Sequence, residues 1–187
     1  IDNDSPIMIL NGNYIEYINV NSDETEINQR LIQNGAVAYT SSGQQISNIT
    51  KQIRIGGTEK SSIKTNTLET YTITYTATDS YDRTISATRT VIITDKEAPI
   101  ITVPKETTLH ISELAGFNLR EGVTAIDNYS QQVNIATNST LTNMPGKYVI
   151  TYTARDSSNN TSTEKRVIIV EDTFNKYYVN LDYIEST

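Results

Sequence analysis

Few residues of this chain have side chains suited to acid–base or nucleophilic chemistry. The single histidine, His110, alternates with apolar residues in a β-prone run, which predicts an exposed or edge-strand position rather than a general base or metal ligand. Glycoside hydrolysis would need two convergent carboxylates, and Glu121, Asp127 and Asp156 invite this interpretation, but surface acids on loops are the default. The chain has no cysteine and no nucleophile, phosphate-loop or zinc motif. The sequence therefore predicts a protein that is not an enzyme.

The charge of the chain argues against two further classes of function. Its 187 residues include 15 basic and 22 acidic side chains, which gives a net charge of -7, and both halves are acidic. No basic face is left to follow a phosphate backbone, so we expect no nucleic-acid partner, and the anionic surface of a membrane is disfavoured for the same reason. No apolar run approaches the ~20 residues of a spanning helix, so we expect no membrane insertion.

One stretch of nine residues occurs twice and organises the rest of the chain. Residues 71–79 read YTITYTATD, and residues 148–156 read YVITYTARD. Apolar or aromatic residues fill alternate positions in both copies, which is the period of a strand with one buried face. The repeat predicts two β modules in tandem, with six of these side chains in their cores. The six are Tyr71, Ile73 and Tyr75 in the first copy and Tyr148, Ile150 and Tyr152 in the second.

Turn signals divide the chain around the two copies. Residues 98–172 contain about seven short β-prone runs with turn signals roughly every ten residues, a spacing that indicates an antiparallel sandwich. Residues 1–97 are predicted to form a longer module, whose extra length near 58–67 is expected in a polar, irregular surface loop. The best helical pattern covers residues 22–34. Residues 173–187 are a C-terminal tail or the start of a third module, and we expect the chain to be a piece of a longer protein.

The second copy lies within a longer pattern of motifs. Residues 145–156 read PGKYVITYTARD and precede an RVIIV strand, while residues 122–128 read GVTAIDN. This set resembles the bacterial immunoglobulin-like domains that are repeated along surface and secreted proteins. The resemblance covers nearly all of residues 94–172 and, less closely, residues 1–97. It implies an all-β chain of two tandem immunoglobulin-like antiparallel β-sandwiches.

Such a fold would give the repeated tyrosines a particular role. Tyr71 and Tyr148 lie where a sandwich often places its corner tyrosine, whose ring is buried while its hydroxyl bonds back to the backbone. Ile73 and Ile150 then take the place of a disulfide cysteine in an antibody domain. We expect an apolar contact to replace the bridge.

The family resemblance implies a function without chemistry. Modules of this family mostly act as spacers, adhesin stalks or accessory domains beside an enzyme. We therefore expect a non-catalytic spacer or adhesin-stalk fragment of a bacterial surface or secreted protein, outside the cell or associated with the cell wall. Its partners would be neighbouring modules of a longer chain. The absence of cysteine agrees with this expectation, because many bacterial surface proteins have no disulfides.

Two alternatives remain open. The chain is an accessory domain of a larger secreted enzyme, or it is a binding module for a host protein or a glycan, with contacts from residues 58–67 and the tyrosine-rich tail. Exposed aromatic rings would favour a binding module, because glycan and protein sites usually need a flat ring. The candidate rings are Tyr14, Tyr17, Tyr39, Tyr81, Tyr129, Tyr177, Tyr178 and Tyr183.

Acidic residues recur where the modules begin and end. Residues 1–6 read IDNDSP, which resembles the linker by which cadherin repeats clamp calcium between modules. Calcium takes about six to eight oxygen ligands, so neighbouring loops would have to contribute. No cofactor is expected unless calcium binds, and then the candidate ligands are Asp2, Asp4, Asp79, Asp95 and Asp127. Lys96 among the acids of the second junction argues against the site, as does the absence of the other cadherin ligands.

Overall fold

A computed structural model describes residues 5–172. The chain divides into two compact units between Lys96 and Glu97. Each unit is built from β-strands with one short helical segment, so the predicted all-β class is confirmed.

The first unit forms eight strands within residues 5–96. They are β1 (Ile7–Leu10), β2 (Ile15–Asn19), β3 (Ala36–Tyr39), β4 (Gln45–Ile46), β5 (Ile49–Ile55), β6 (Thr58–Lys60), β7 (Thr70–Thr78) and β8 (Thr84–Thr94). One sheet has the order β1-β3-β4, and the larger one has the order β2-β8-β7-β5-β6. All neighbours are antiparallel except β2 and β8, which are parallel.

The second unit forms six strands within residues 97–172. They are β9 (Ile100–Thr102), β10 (Glu106–His110), β11 (Thr124–Ile126), β12 (Asn134–Asn138), β13 (Gly146–Arg155) and β14 (Thr161–Glu171). The small sheet pairs β9 with β11, and the larger sheet has the order β10-β14-β13-β12. Here the parallel neighbours are β10 and β14. A 3-10 helix (Ile111–Gly116) follows β10.

The two copies of the repeated stretch form β7 and β13, which lie inside the larger sheets. Every second side chain is buried. Those with no exposed area are Ile73, Tyr75 and Ala77 in β7 and Ile150, Tyr152 and Ala154 in β13. Tyr71 is also buried, but Tyr148, expected in the core, is only partly buried. The reason is that its ring lies against Gly146 in the turn where the strand begins.

Both corner tyrosines bond back to the chain that precedes their strand. The hydroxyl of Tyr71 donates to the carbonyl oxygen of Lys64 (3.2 Å) and accepts from the N–H of the same residue (3.1 Å). The hydroxyl of Tyr148 donates to the carbonyl oxygen of Met144 (2.8 Å). These bonds fix the approach of the chain to each central strand.

The expected loop near residues 58–67 is instead an ordered part of the first unit. Gly56 and Gly57 turn the chain at positive φ (51° and 90°), which glycine adopts without steric cost, and β6 then pairs with the end of β5. Further on, Ile63 is fully buried. The side chain of Asn28 accepts from the N–H of Ile63 (2.9 Å) and donates to its carbonyl oxygen (3.0 Å). Residues 58–67 are therefore hydrogen-bonded to the helical segment through Asn28.

That helical segment has two kinds of turn. Helix α1 (Glu24–Asn28) begins at Asp23, whose carboxylate accepts from the N–H groups of Thr25 and Glu26, as an N-cap residue does. A π-helical turn (Gln29–Gln33) continues it. The predicted helix is thus present, but its second half is wider than an α-helix. None of the helical segments between residues 5 and 172 is long and apolar enough to cross a membrane.

An arginine lies in the core of the first unit. Arg89 of β8 has no exposed area, and its guanidinium meets oxygen atoms on several sides. It donates to the carbonyl oxygens of Asn13 (2.9 Å), Asn11 (2.6 Å) and Gly35 (3.3 Å), and to the hydroxyl of Tyr75 (3.4 Å). The Tyr75 hydroxyl donates in turn to the carbonyl oxygen of Leu31 in the π-helical turn. Strand, turn and helical segment are held together at this point.

The second unit repeats this arrangement with other partners. Arg166 of β14 is 4% exposed and follows Arg89 by 77 residues, the spacing of the repeated strands. It donates to the hydroxyl of Thr107 (2.6 and 3.0 Å) and to the carbonyl oxygen of Glu121 (3.0 Å), and it lies 5.1 Å from the ring centre of Phe117. A buried, hydrogen-bonded arginine is therefore common to both units.

Replacing Ile150 by alanine is expected to destabilise the second unit by roughly 2–5 kcal/mol, because the side chain is fully buried and leaves a cavity. Denaturant unfolding measures this cost. The matched control is Val149→Ala on the opposite face of the same strand, where the side chain is 47% exposed and the cost should stay below about 1 kcal/mol. Equal costs at the two positions would show that the strand register is wrong.

Replacing Arg89 by lysine is expected to destabilise the first unit by roughly 2–4 kcal/mol. A single ammonium cannot reach four oxygen atoms that a planar guanidinium satisfies, and buried acceptors without donors are costly. The exposed Arg54 of β5 provides the control, since Arg54→Lys should leave the unfolding midpoint unchanged. If Arg89→Lys also left the midpoint unchanged, the hydrogen bonds from the guanidinium of Arg89 would not contribute to the stability of the unit.

Candidate functional site

The predicted metal ligand Asp79 is committed to a turn between β7 and β8. One carboxylate oxygen accepts from the N–H groups of Tyr81 (2.9 Å) and Arg83 (3.0 Å), and the other accepts from the Arg83 side chain (2.8 Å). Burial by itself would raise the pKa of Asp79, but the hydrogen bonds from Arg83 and Tyr81 outweigh it and hold this pKa below its usual value. Calcium at Asp79 would have to displace the Arg83 ion pair.

Asp156 has the same role in the turn between β13 and β14. Its two carboxylate oxygens accept from the backbone N–H and the side-chain amide of Asn160, both at 2.8 Å. The two turns also share a residue at positive φ, which is Asp82 in the first unit (58°) and Asn159 in the second (74°). Asp and Asn tolerate this backbone region better than most residues do. Both acids therefore shape turns.

Asp127 and Asp156 are brought together within the second unit. A carboxylate oxygen of one lies within 4.8 Å of a carboxylate oxygen of the other. Asp127 accepts from the N–H groups of Tyr129 (3.0 Å) and Ser130 (2.8 Å), and its second oxygen is buried without a hydrogen-bond partner among residues 5–172. The hydroxyls of Ser130 and Ser157 are 2.6 Å apart beside them. The contact between the two serine hydroxyls thus joins the two loops. Both oxygens of Asp156 are occupied by donors of its own turn.

The remaining metal and acid–base candidates are Asp95, Asp2, Asp4 and His110. Asp95 follows β8 and is 7% exposed, whereas Asp2 and Asp4 lie outside the described residues. The calcium site therefore stays a prediction. His110 ends β10, an edge strand, and its ring nitrogen accepts from the N–H of Ser112 (3.3 Å) at the start of the 3-10 helix.

Of the tyrosines predicted as binding rings, Tyr14 (71%), Tyr17 (58%) and Tyr81 (78%) are exposed. A cation lies over two of these rings, Lys96 over Tyr17 at 5.3 Å and Arg83 over Tyr81 at 5.1 Å. Tyr39 and Tyr129 are partly buried. The tail tyrosines lie outside the described residues and are Tyr177, Tyr178 and Tyr183.

An open cleft of about 380 Å³ lies beside the helical segment of the first unit. It is lined by Asn11, Glu26, Gln29, Arg30 and Asn34, all with planar polar side chains, and is named the amide cleft below. The guanidinium of Arg30 pairs with Glu26 at 3.3 Å and with a carboxylate on β2 at 3.3 Å. The side chain of Asn11 donates to the carbonyl oxygen of Asn34 (2.6 Å), which joins the two walls.

Sequence reasoning missed both the amide cleft and the buried arginines. A signal for Arg89 was present, since it alternates with Ala87, Val91 and Ile93 in β8 and so shares their inward face. Its charge made an outward position the default. The amide cleft had a partial signal, since four of its five lining residues fall at helical spacing within residues 26–34, but nothing in the sequence brings Asn11 to them.

Comparison with known proteins identifies the fold family. A family model described as "Bacterial surface protein, Ig-like domain" matches residues 29–93 and again residues 101–170. A search of curated proteins found no match.

Several solved structures are similar to the chain. The fibronectin(III)-like modules of Clostridium thermocellum CbhA are 15% identical, with 88% of this chain and 94% of that chain covered and a TM-score of 0.32. The lipoprotein BT2262 of Bacteroides thetaiotaomicron is 14% identical, with coverages of 87% and 98% and a TM-score of 0.35. Drosophila N-cadherin EC1-4 is 11% identical, with coverages of 92% and 52% and a TM-score of 0.33.

The two matches to the family model together cover more than half of the chain, and each falls on one unit with its own pair of sheets. The predicted family and the predicted immunoglobulin-like fold class are both confirmed. The chain belongs to the family of bacterial surface protein Ig-like domains and contains two of these domains in tandem.

Proposed function

We propose that the chain is a load-bearing spacer segment of a bacterial surface protein. The observation that carries this function is the parallel pairing at the edge of each larger sheet. β2 pairs with β8 over five residues in the first unit, and β10 pairs with β14 over five residues in the second. In both cases an early strand of the unit lies beside the last strand that the structure describes in that unit.

Parallel pairing of these strands determines how a pulling force acts on a unit. In the second unit the chain enters β10 after Lys105 and leaves β14 at Glu171, so tension pulls the two strands in opposite directions along their axes. The hydrogen bonds between the strands, such as that from the N–H of Val167 to the carbonyl oxygen of Lys105 (2.9 Å), are then loaded in shear. They share the load, whereas strands pulled apart from one end lose their bonds one at a time.

The last strand of each unit is well anchored on its other side. β14 pairs with β13 over ten residues, and β8 pairs with β7 over nine. The buried arginines, Arg89 on β8 and Arg166 on β14, add hydrogen bonds to the surrounding loops. Tension on the last strand therefore passes into the centre of the sheet. These features support a mechanical role, and two of the carboxylates predicted for chemistry, Asp127 and Asp156, accept hydrogen bonds within turns.

Single-molecule pulling on the second unit tests the proposal. The chain has no cysteine, so engineered cysteines give unique handles. We expect a higher unfolding force between handles at Lys105 and Glu171, which shear β10 against β14, than between handles at Ala115 and Glu171. The second pair starts from the same end of both strands, because His110 lies opposite Glu171, and so unzips them.

The comparison of the two pulling directions has an internal control. All three handle positions are exposed, so both variants should unfold in bulk denaturant at the same midpoint as the parent chain. The load-bearing function would be contradicted if the unfolding force measured in shear did not exceed the one measured in the unzipping direction.

A further inference from the structure

Side chains of the core hold the backbone that forms the amide cleft of the first unit. The hydroxyl of Tyr75 donates to the carbonyl oxygen of Leu31, and Arg89 donates to that of Gly35. Gly35 has no room for a side chain, because a Cβ there would lie 2.1 Å from the carbonyl oxygen of Leu31 and 2.3 Å from the Tyr75 hydroxyl. The π-helical turn is thus held from inside by the core. Turns of this type are rare and occur frequently at functional sites.

The outer face of the same turn offers unused hydrogen-bonding groups. The side-chain amides of Gln29 and Asn34 line the amide cleft and make no hydrogen bond to another residue between Ser5 and Asp172. Each amide provides a carbonyl acceptor and two N–H donors. Arg30 has further N–H groups beyond those that face Glu16 and Glu26. The amide cleft therefore presents donors and acceptors side by side.

None of the five lining residues is aromatic, so a ligand in the amide cleft is held by hydrogen bonds and not by stacking on a flat ring. Such a mixture suits a ligand whose groups both donate and accept. A sugar hydroxyl does both, and neighbouring hydroxyls on a pyranose ring match planar groups such as amide, guanidinium and carboxylate. The size of the amide cleft, about 380 Å³, lies within the usual range of small-molecule sites.

Charge in the amide cleft decides between kinds of sugar. Arg30 carries one positive charge, and its two partners, Glu16 and Glu26, carry two negative charges. The buried guanidinium of Arg89 lies beside Glu16, with both groups close to Gly12, and adds a second positive charge. The charges therefore balance, so nothing in the amide cleft attracts a carboxylated, sulfated or phosphorylated sugar. An uncharged sugar does not need such an attraction.

We propose that the amide cleft binds an uncharged pyranose sugar of a surface glycan, through Gln29, Arg30 and Asn34. Between residues 97 and 172 the second unit has no counterpart, because a 3-10 helix (Ile111–Gly116) follows its edge strand in place of α1 and the π-helical turn. This binding site is a separate proposal from the load-bearing function, because its ligand contacts come from side chains of the helical segment and not from the pairing between strands.

Two-dimensional ¹H–¹⁵N NMR titration of the full 187-residue chain tests the site. The probes are glucose, galactose, mannose and N-acetylglucosamine, with N-acetylneuraminic acid as the anionic comparison. We expect at least one uncharged sugar to shift the side-chain amide signals of Gln29 and Asn34 and the backbone signals around them. N-acetylneuraminic acid should produce weaker shifts at the same positions.

Arg30→Ala should weaken the binding of that sugar roughly tenfold, the loss expected when a hydrogen bond from a charged group is removed. The matched control is Arg54→Ala, an exposed arginine on β5 outside the amide cleft, which should bind like the parent chain. Asn34→Ala gives a second, uncharged test that leaves the Arg30 ion pairs in place.

Three results would each overturn the site. The first is an absence of shifts at the amide cleft with all four uncharged sugars at tens of millimolar. The second is a set of shifts that maps to another surface. The third is equal affinity of the Arg30→Ala and Arg54→Ala variants for the sugar that binds. None of these results would alter the outcome of the pulling experiment.

Discussion

Each unit depends on one buried guanidinium whose donors are satisfied mainly by backbone or hydroxyl oxygens. Arg89 reaches the carbonyl oxygens of Asn11, Asn13 and Gly35, so the turn after β1, the start of β3 and the middle of β8 must keep their places together. A buried charge that loses its partners costs several kcal/mol. The loops around this arginine are therefore constrained as strictly as the strands, although they carry little apolar surface.

The same arginine connects the helical segment of the first unit to the ladder between β2 and β8. β8 provides the inward side chain that holds the helical segment, and its backbone also forms the ladder with β2. Tyr75 on the neighbouring strand completes the link through the carbonyl oxygen of Leu31. The second unit keeps the arginine and tyrosine but changes their partners to Thr107, Glu121 and Leu119, and its connection is a 3-10 helix. A common scaffold thus carries a different outer surface in each unit.

The sequence was informative where a single physical rule decides the structure. Period-two alternation placed Ile73 and Ile150 in the core of central strands, because only one face of such a strand is buried. It was less informative where distant residues decide. The spacing of apolar residues indicates a helix over 22–34, but the widening into a π-helical turn depends on Tyr75 and Gly35. The turn at Gly56-Gly57 follows from a local rule, because glycine adopts the positive φ that it needs, but the polar composition of residues 58–67 favours an irregular loop over strand β6.

The near-identity of β7 and β13 has a consequence for synthesis of the chain. Two similar strands 77 residues apart could exchange partners, a typical failure of tandem repeats. The turn that begins at Asp79 joins β7 directly to β8, and such a hairpin closes in about 1–10 μs. At about 5–20 residues per second, the ribosome delivers the second copy several seconds later. The carboxylate of Asp79, which holds residues 79–83 in a turn, thereby lets β7 pair with β8 before β13 has been synthesised.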